Sequence, residues 1–275
     1  MKKFLPLLLL ISIGSLCQVM AQEQFPATGQ PTIKRYDVRL YGLVESFDWR
    51  ETVKGQELVK ETGPLFGLGG DVGLGITETV WIEFNGEFFL GDVDYDGFLQ
   101  GPQGLTPAKS KTSYVGVKGS ADLALKIPIT QDVYVKPYAG IGVRAWRRDL
   151  DKSLSDSEVG EYGYTETWAS VYGLLGVGAG VRLHQDCEIF GNFAVKLPVY
   201  NQERVDLSAN GGPSDIELKP GKEVSICAEG GLNYKWLTAS VFAETLKFSQ
   251  SDVVDGGYQP DSKATIVGAK LGLHF

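Results

Sequence analysis

The sequence predicts an all-β fold, a ten-stranded antiparallel up-and-down barrel of the transmembrane kind, and three observations carry that reading. Ten segments alternate residue by residue between an apolar face and a polar or glycine face, the period of a strand and not of a helix. Glycine makes up 35 of 275 residues, well above the usual ~7%, and recurs inside those segments rather than between them. The connections alternate in length, short after even-numbered segments and long after odd-numbered ones, which matches short periplasmic turns and long extracellular loops.

In the first segment Tyr36, Val38, Leu40 and Val44 oppose Asp37, Arg39, Tyr41 and Glu45. The second, from Leu65 to Ile76, sets Phe66, Leu68, Val72 and Leu74 against Gly67, Gly69, Asp71, Gly73 and Gly75. A tight turn at Thr77 to Thr79 leads into the third, where Val80, Ile82, Phe84, Phe88 and Leu90 oppose Trp81, Glu83, Asn85 and Glu87. Pairing across that turn brings Gly73 opposite Glu83 and Gly75 opposite Trp81, so that small faces large in a narrow lumen. The fourth sets Val115, Val117, Leu123 and Leu125 against Tyr114, Lys118, Ser120 and Asp122. The fifth opposes Val133, Val135, Ile141 and Val143 to Tyr134, Lys136, Tyr138, Arg144 and Trp146. The sixth opposes Val171, Leu175, Val177 and Val181 to Trp168, Tyr172, Gly176 and Arg182. A turn at His184 to Asp186 opens the seventh, with Ile189, Phe193, Val195 and Leu197 against Glu188, Asn192 and Lys196. The eighth sets Val224, Ile226, Leu232 and Tyr234 against Cys227, Glu229 and Lys235, and the ninth runs from Leu237 to Phe248. In the tenth, Thr265, Val267, Ala269, Leu271, Leu273 and Phe275 share one face, and Ile266, Gly268, Lys270 and His274 the other.

Alternation alone fits both a membrane barrel, greasy outside, and a soluble ligand-carrying barrel, greasy inside. The asymmetric rims favour the membrane arrangement. So do the aromatics Tyr36, Tyr234, Trp236 and Phe275, gathered at the short-turn end of the apolar face as an interfacial girdle. Residues 1–21 read as a secretory leader: Lys2 and Lys3, an apolar run to about Leu16, and Val19-Met20-Ala21 before the cut. Leu16 stands where acylation at Cys17 would want a small residue, so lipidation is not expected. Residues 22–34 form a polar lead with Pro26 and Pro31, and residues 35–275 the barrel. Cleavage takes the net charge from −8 to −10, which offers nothing to nucleic acid. Cys187 and Cys227 fall near opposite ends of adjacent strands and on opposite faces, so two free thiols are expected.

Several motifs, Val93 to Gly97, Tyr114 to Lys118, Lys136 to Leu150, Gly163 to Trp168, Tyr258 to Pro260 and the last strand, resemble small Gram-negative outer-membrane β-barrels of the porin-family or opacity type, similar to the outer-membrane-protein-A barrel. The resemblance implies an integral outer-membrane location among outer-membrane lipid and lipopolysaccharide, and a monomer is expected. It also implies that the terminal Phe275 is read by the outer-membrane assembly machinery.

Lumen parity collects Asp37, Glu45, Asp71, Glu83, Glu87, Asp122, Glu188, Glu229 and Glu244 against Arg39, Lys118, Lys126, Lys136, Arg144, Arg182, Lys196, Lys235 and Lys270. An unpaired buried charge costs several kcal/mol, and a ten-stranded lumen is narrow. A salt-bridged, closed interior is therefore expected ahead of a narrow pore for small solutes. Trp146 and Trp168 face each other at the loop end of the fifth and sixth segments. They are expected to stiffen that hairpin at the mouth rather than to stack on a sugar. Asp92, Asp94 and Asp96 before Gly97 match the first half of a calcium loop, yet its twelfth position is Gln103 instead of Glu. No cofactor is expected, calcium being the one candidate. No enzyme is expected either: known barrel hydrolases set a histidine at the outward rim, whereas His184 and His274 fall at the other end. The role that emerges is structural or interaction-type, carried by surface loops.

Overall fold

The computed structural model describes residues 36–101, 104–150, 163–207 and 215–275. The leader and polar lead expected over 1–21 and 22–34 lie outside them. The described chain forms β1 (Tyr36–Val53), β2 (Gln56–Gly75), β3 (Val80–Gly101), β4 (Gly104–Leu125), β5 (Ile127–Pro128), β6 (Val133–Leu150), β7 (Thr165–His184), β8 (Cys187–Asp206), β9 (Ile216–Leu218), β10 (Ser225–Tyr234), β11 (Leu237–Phe248) and β12 (Asp261–His274). Ten of these are the staves of a closed antiparallel barrel. The short β5 pairs with β6, and the short β9 pairs with β8. Each stave pairs with its sequence neighbours, and β1 closes the ring against β12 with Val44 opposite Ala269.

The faces decide which side is greasy. Leu68, Ile141, Val143 and Leu271 are 70%, 68%, 51% and 67% exposed, whereas Glu45, Glu61 and Glu203 are at most 1% exposed. Carboxylates inside and an apolar belt outside is the reverse of a soluble barrel. The register expected across the first short turn is present, with Gly73 opposite Glu83 and Gly75 opposite Trp81. Further round, Tyr134 pairs with Gly180, Tyr138 with Gly176 and Tyr172 with Gly142. A Cβ on Gly176 would lie 2.3 Å from the Tyr138 ring, so these phenols lie flat across glycines and fill the lumen.

The staves run well past the expected ends. β1 and β2 meet in a hairpin of Lys54 and Gly55, both in the left-handed region (φ 51° and 79°) that such two-residue turns require. β3 and β4 pair out to Gly101 opposite Gly104. Two of the expected long loops are thus tall hairpins. Beyond the apolar belt the outer wall turns polar (Asp48, Arg50, Lys60, Asp94, Lys111, Arg147) and the inner face turns aromatic, so the amphipathic contrast reverses there.

At the closing seam a Cβ on Gly272 would sit 2.0 Å from the Leu40 carbonyl oxygen, which is backbone and has nowhere to move. Gly272→Ala is expected to cost about 1–3 kcal/mol, read as a lower urea midpoint of the folded barrel in detergent. A Cβ on Gly86 meets nothing within 4 Å, and Gly86→Ala should leave that midpoint in place.

Candidate functional site

From the short-turn rim upward the lumen is layered. Nearest the rim, Arg39 pairs with Asp71 at 3.0 Å and Lys136 with Glu83 at 2.6 Å, around a cavity of about 210 Å³. Above the rim pairs, Lys118 bridges Glu87 (2.7 Å) and Glu244 (3.2 Å), and Lys270 bridges Glu87 and Glu229 (both 2.9 Å). Arg144 reaches Glu244 at 3.2 Å, and Lys196 pairs with the same carboxylate. The Tyr41 hydroxyl donates to Glu87 at 3.0 Å and is 3.1 Å from Asp71. Lys118 and Lys270 each join acids from two strands, and Glu244 gathers cations from three, so the network cross-braces the barrel.

An aromatic plug follows. Trp146 and Trp168 stack at 5.2 Å and 11°, Trp49 meets Trp168 edge-on at 5.4 Å and 77°, and Phe248 lies 5.2 Å from Trp168. Phe47, Leu65, Phe89, Phe242, Leu246 and Ile266 pack round them, all buried. The Arg144 guanidinium sits 4.7 Å above the Phe89 ring and joins the plug to the ionic layer below.

Above the plug, beyond the apolar belt, lies a second ionic layer. Arg148 reaches Glu61 and Glu166 at 2.7 Å and Glu51 at 3.2 Å. Thr112 donates to Glu61 at 2.8 Å, and the Tyr114 hydroxyl donates to it as well. Trp49 and Trp168 donate their indole N–H to Glu51 (2.9 Å) and Glu166 (3.1 Å), tying plug to acids. Glu203 joins from β8 without an arginine. The Gln259 amide, in the orientation that satisfies both its ends, donates to the two Glu203 oxygens at 3.2 and 3.3 Å. One guanidinium thus pairs with three carboxylates in a layer that buries four. Burial, with Glu166 and Glu51 nearby, holds the Glu203 carboxyl well above the usual carboxylate range. Burial also raises Glu51 against the pull of Arg148. For Arg148 burial opposes the charge, but Glu166 and Glu61 outweigh it and keep the guanidinium protonated.

Three placements differ from those expected. Trp146 and Trp168 are paired across β6 and β7 but are 5% and 1% exposed, because the staves continue above them: they are plug, not mouth. Asp92, Asp94 and Asp96 lie on the outer face of the extended β3, where Ser113 donates to Asp92 (2.6 Å) and Lys109 pairs with Asp96 (3.1 Å). An extended strand spaces alternate residues by about 6.6 Å and cannot wrap them around one ion, so the calcium loop does not form. Arg182 is exposed at the short-turn rim opposite Glu188, outside the inner network. Asp122 is bonded by Ser120 (2.6 Å) and by no lysine among the described residues.

Glu51, Glu61, Arg148, Glu166 and Glu203 fall in stretches that apolar-outward alternation assigns to loops, and Trp49 and Phe248 do not stand out in that pattern. The signal for most of them was continued parity, since Phe47, Trp49 and Glu51 extend the face of Tyr41 and Glu45. Glu203 had no such signal. A bulge in β8 pairs Tyr172 with Pro198 and Val171 with Tyr200, and the extra residue turns Asn201 and Glu203 inward. Cys187 and Cys227 are free, His184 is exposed in its turn, and His274 lies 3.5 Å from Asp37 at the same rim.

The outer-membrane protease OmpT from Escherichia coli matches this architecture with a TM-score of 0.62 at 13% identity, over 90% of this chain and 99% of that one. The chain has the fold of an outer-membrane β-barrel. At that identity the likeness concerns fold alone. The translocator domain of the autotransporter NalP from Neisseria meningitidis (TM-score 0.47, 9% identity, 94% of each chain) also matches. So does Ail, the attachment invasion locus protein of Yersinia pestis (0.33, 9%, 87% of this chain and 98% of that one). No protein-family model matches the chain, and no curated protein does.

Proposed function

We propose that this is an integral outer-membrane protein of a Gram-negative cell, a closed barrel that acts through the surface it raises above the membrane and not through its lumen. The observation that carries the reading is the plug. Trp49, Trp146, Trp168 and Phe248 fill the lumen between two ionic layers, each 5% exposed or less. The opacity-type resemblance agrees with a surface role. So do the tall hairpins, which raise β1–β2 and β3–β4 beyond the apolar belt. A hydrolytic role is not favoured, because both histidines sit at the short-turn rim, away from the tall end. The narrow-pore reading needs a water path through the plug, which the stacked indoles occupy. Purified protein in planar bilayers should give no discrete conductance steps, and steps from the unmodified barrel would overturn the closed-lumen reading.

A further inference from the structure

We propose that the outer wall of β11, β12, β1 and β2 binds the phosphates of an anionic lipid in the surrounding leaflet, through Lys247, Lys263, Arg50 and Lys60. The proposal rests on the membrane reading above. The register places these four side by side: Lys247 pairs with Lys263, Lys263 with Arg50, and Arg50 with Lys60. All four face outward, since their neighbours Leu246, Phe248, Ala264, Trp49 and Glu61 are buried in the lumen.

Like charges directly opposite each other destabilise a sheet, and elsewhere on the tall wall that arrangement is avoided. Lys109 faces Asp96, Lys111 faces Asp94, and Arg204 faces Glu217. Within the quartet, Arg50 is held by Asp48 (2.7 Å) and Glu57 (3.0 Å). On its other side Lys60 lies opposite Asp96, but Asp96 pairs with Lys109 (3.1 Å), and Lys60, Lys247 and Lys263 have no ion pair among the described residues, so four cations meet only the two acids that hold Arg50. An anion from outside the chain is the partner that removes the repulsion.

The height of the patch says where that anion is carried. Immediately below it the same strands present Thr245, Thr265, Asp48 and Thr62, so the one carboxylate in that row is the one that already holds Arg50. Lower still come Val267, Val241, Val44 and Phe66, exposed by 53%, 65%, 45% and 54%. Lys263 is four residues above Val267, about 13 Å along the strand and about 10 Å in height at a tilt near 40°. A lysine stem that snorkels downward brings its ammonium to the head-group level. Four adjacent strands span about 14 Å, too wide for a single phosphate. The fit is to a lipid head group carrying two phosphates separated by a comparable distance, with its acyl chains against the valine and phenylalanine belt.

The test uses the full-length folded barrel, delipidated in zwitterionic detergent. It is exposed in turn to a bisphosphorylated lipid A, its dephosphorylated form, phosphatidylcholine and inorganic phosphate. Retained lipid is read by native mass spectrometry, and heat-modifiable migration reports folding. The wild type should retain the bisphosphorylated lipid at least tenfold better than K60Q/K247Q/K263Q, while K60R/K247R/K263R retains it as the wild type does. Equal retention by the glutamine variant, or equal binding of the dephosphorylated lipid, would overturn the proposal. Competition by inorganic phosphate at equal concentration would also overturn it, marking a free-anion patch instead. A barrel that stays soluble without detergent would sink the membrane reading itself, whatever the lysines do.

Discussion

Arg148→Met is expected to lower the unfolding free energy by about 3–5 kcal/mol near pH 7, the usual cost of stranding buried charges by removing their partner. The single guanidinium serves Glu51, Glu61 and Glu166 at 2.7 to 3.2 Å, and the three staves that supply those acids are held together through it. The pH dependence has a definite sign. Glu51 and Glu203 titrate above the ordinary glutamate value of 4.5, so each binds its proton more tightly folded than unfolded. Their contribution to stability is therefore fully present below that ordinary value and is lost as pH rises through the raised one. Wild-type stability should climb as pH falls from neutrality toward about 4.5, and the penalty for removing the guanidinium should shrink over the same window as Glu51 becomes neutral. Glu203→Gln, which removes a charge without removing shape, should be neutral or stabilising at pH 7. Urea midpoints at several pH values decide. A penalty for Arg148→Met that is flat from about pH 7.5 to about pH 5, or a strongly destabilised Glu203→Gln, would show that the acids are not crowded.

How far the sequence could be read depended on what surrounded each stretch. Within the apolar belt hydrocarbon and lumen impose opposite demands on alternate residues, so Val72 and Gly73 or Val143 and Arg144 announce their faces, and even the pairing of Gly73 with Glu83 is legible. Above the belt the outer wall meets water while the inner face packs aromatics, and the contrast reverses. Asp48 outside and Trp49 inside look like the end of a strand when they are its continuation. A reading that follows apolar-outward parity stops there and assigns the remainder to loops. Asp92, Asp94 and Asp96 then resemble a calcium turn, and Trp146 and Trp168 a mouth. Glu203 was harder for a different reason: one unpaired residue in β8 reverses parity, and Pro198, which a sheet tolerates at an edge or a bulge, hints at a break without saying that the faces exchange. The lower lumen charges were recoverable because parity alone sorts them. Their partners were not, because Glu244 meets Lys118, Arg144 and Lys196 only once the ring closes.

The aromatic plug carries the second large effect. Trp168 is 1% exposed and touches Trp49, Trp146 and Phe248. Trp168→Ala is expected to cost about 3–5 kcal/mol, and it also strips Glu166 of an indole donor. Removing Trp49, Trp146 and Trp168 together should join the 210 Å³ cavity below to the acid layer above and let ions pass where the wild type is silent. The sign of the selectivity follows from the residues left along that path: four carboxylates to one guanidinium above the former plug favour cations. A potassium chloride gradient should then give a reversal potential of the cation-selective sign, and acidification that neutralises Glu51 and Glu203 should weaken it. If the triple alanine variant folds, as its heat-modifiable migration would show, yet stays non-conducting, the seal belongs to the ionic layer of Lys118, Arg144 and Glu244. The indoles would then be bracing for the tall staves, and closure a property of the salt-bridge network beneath them.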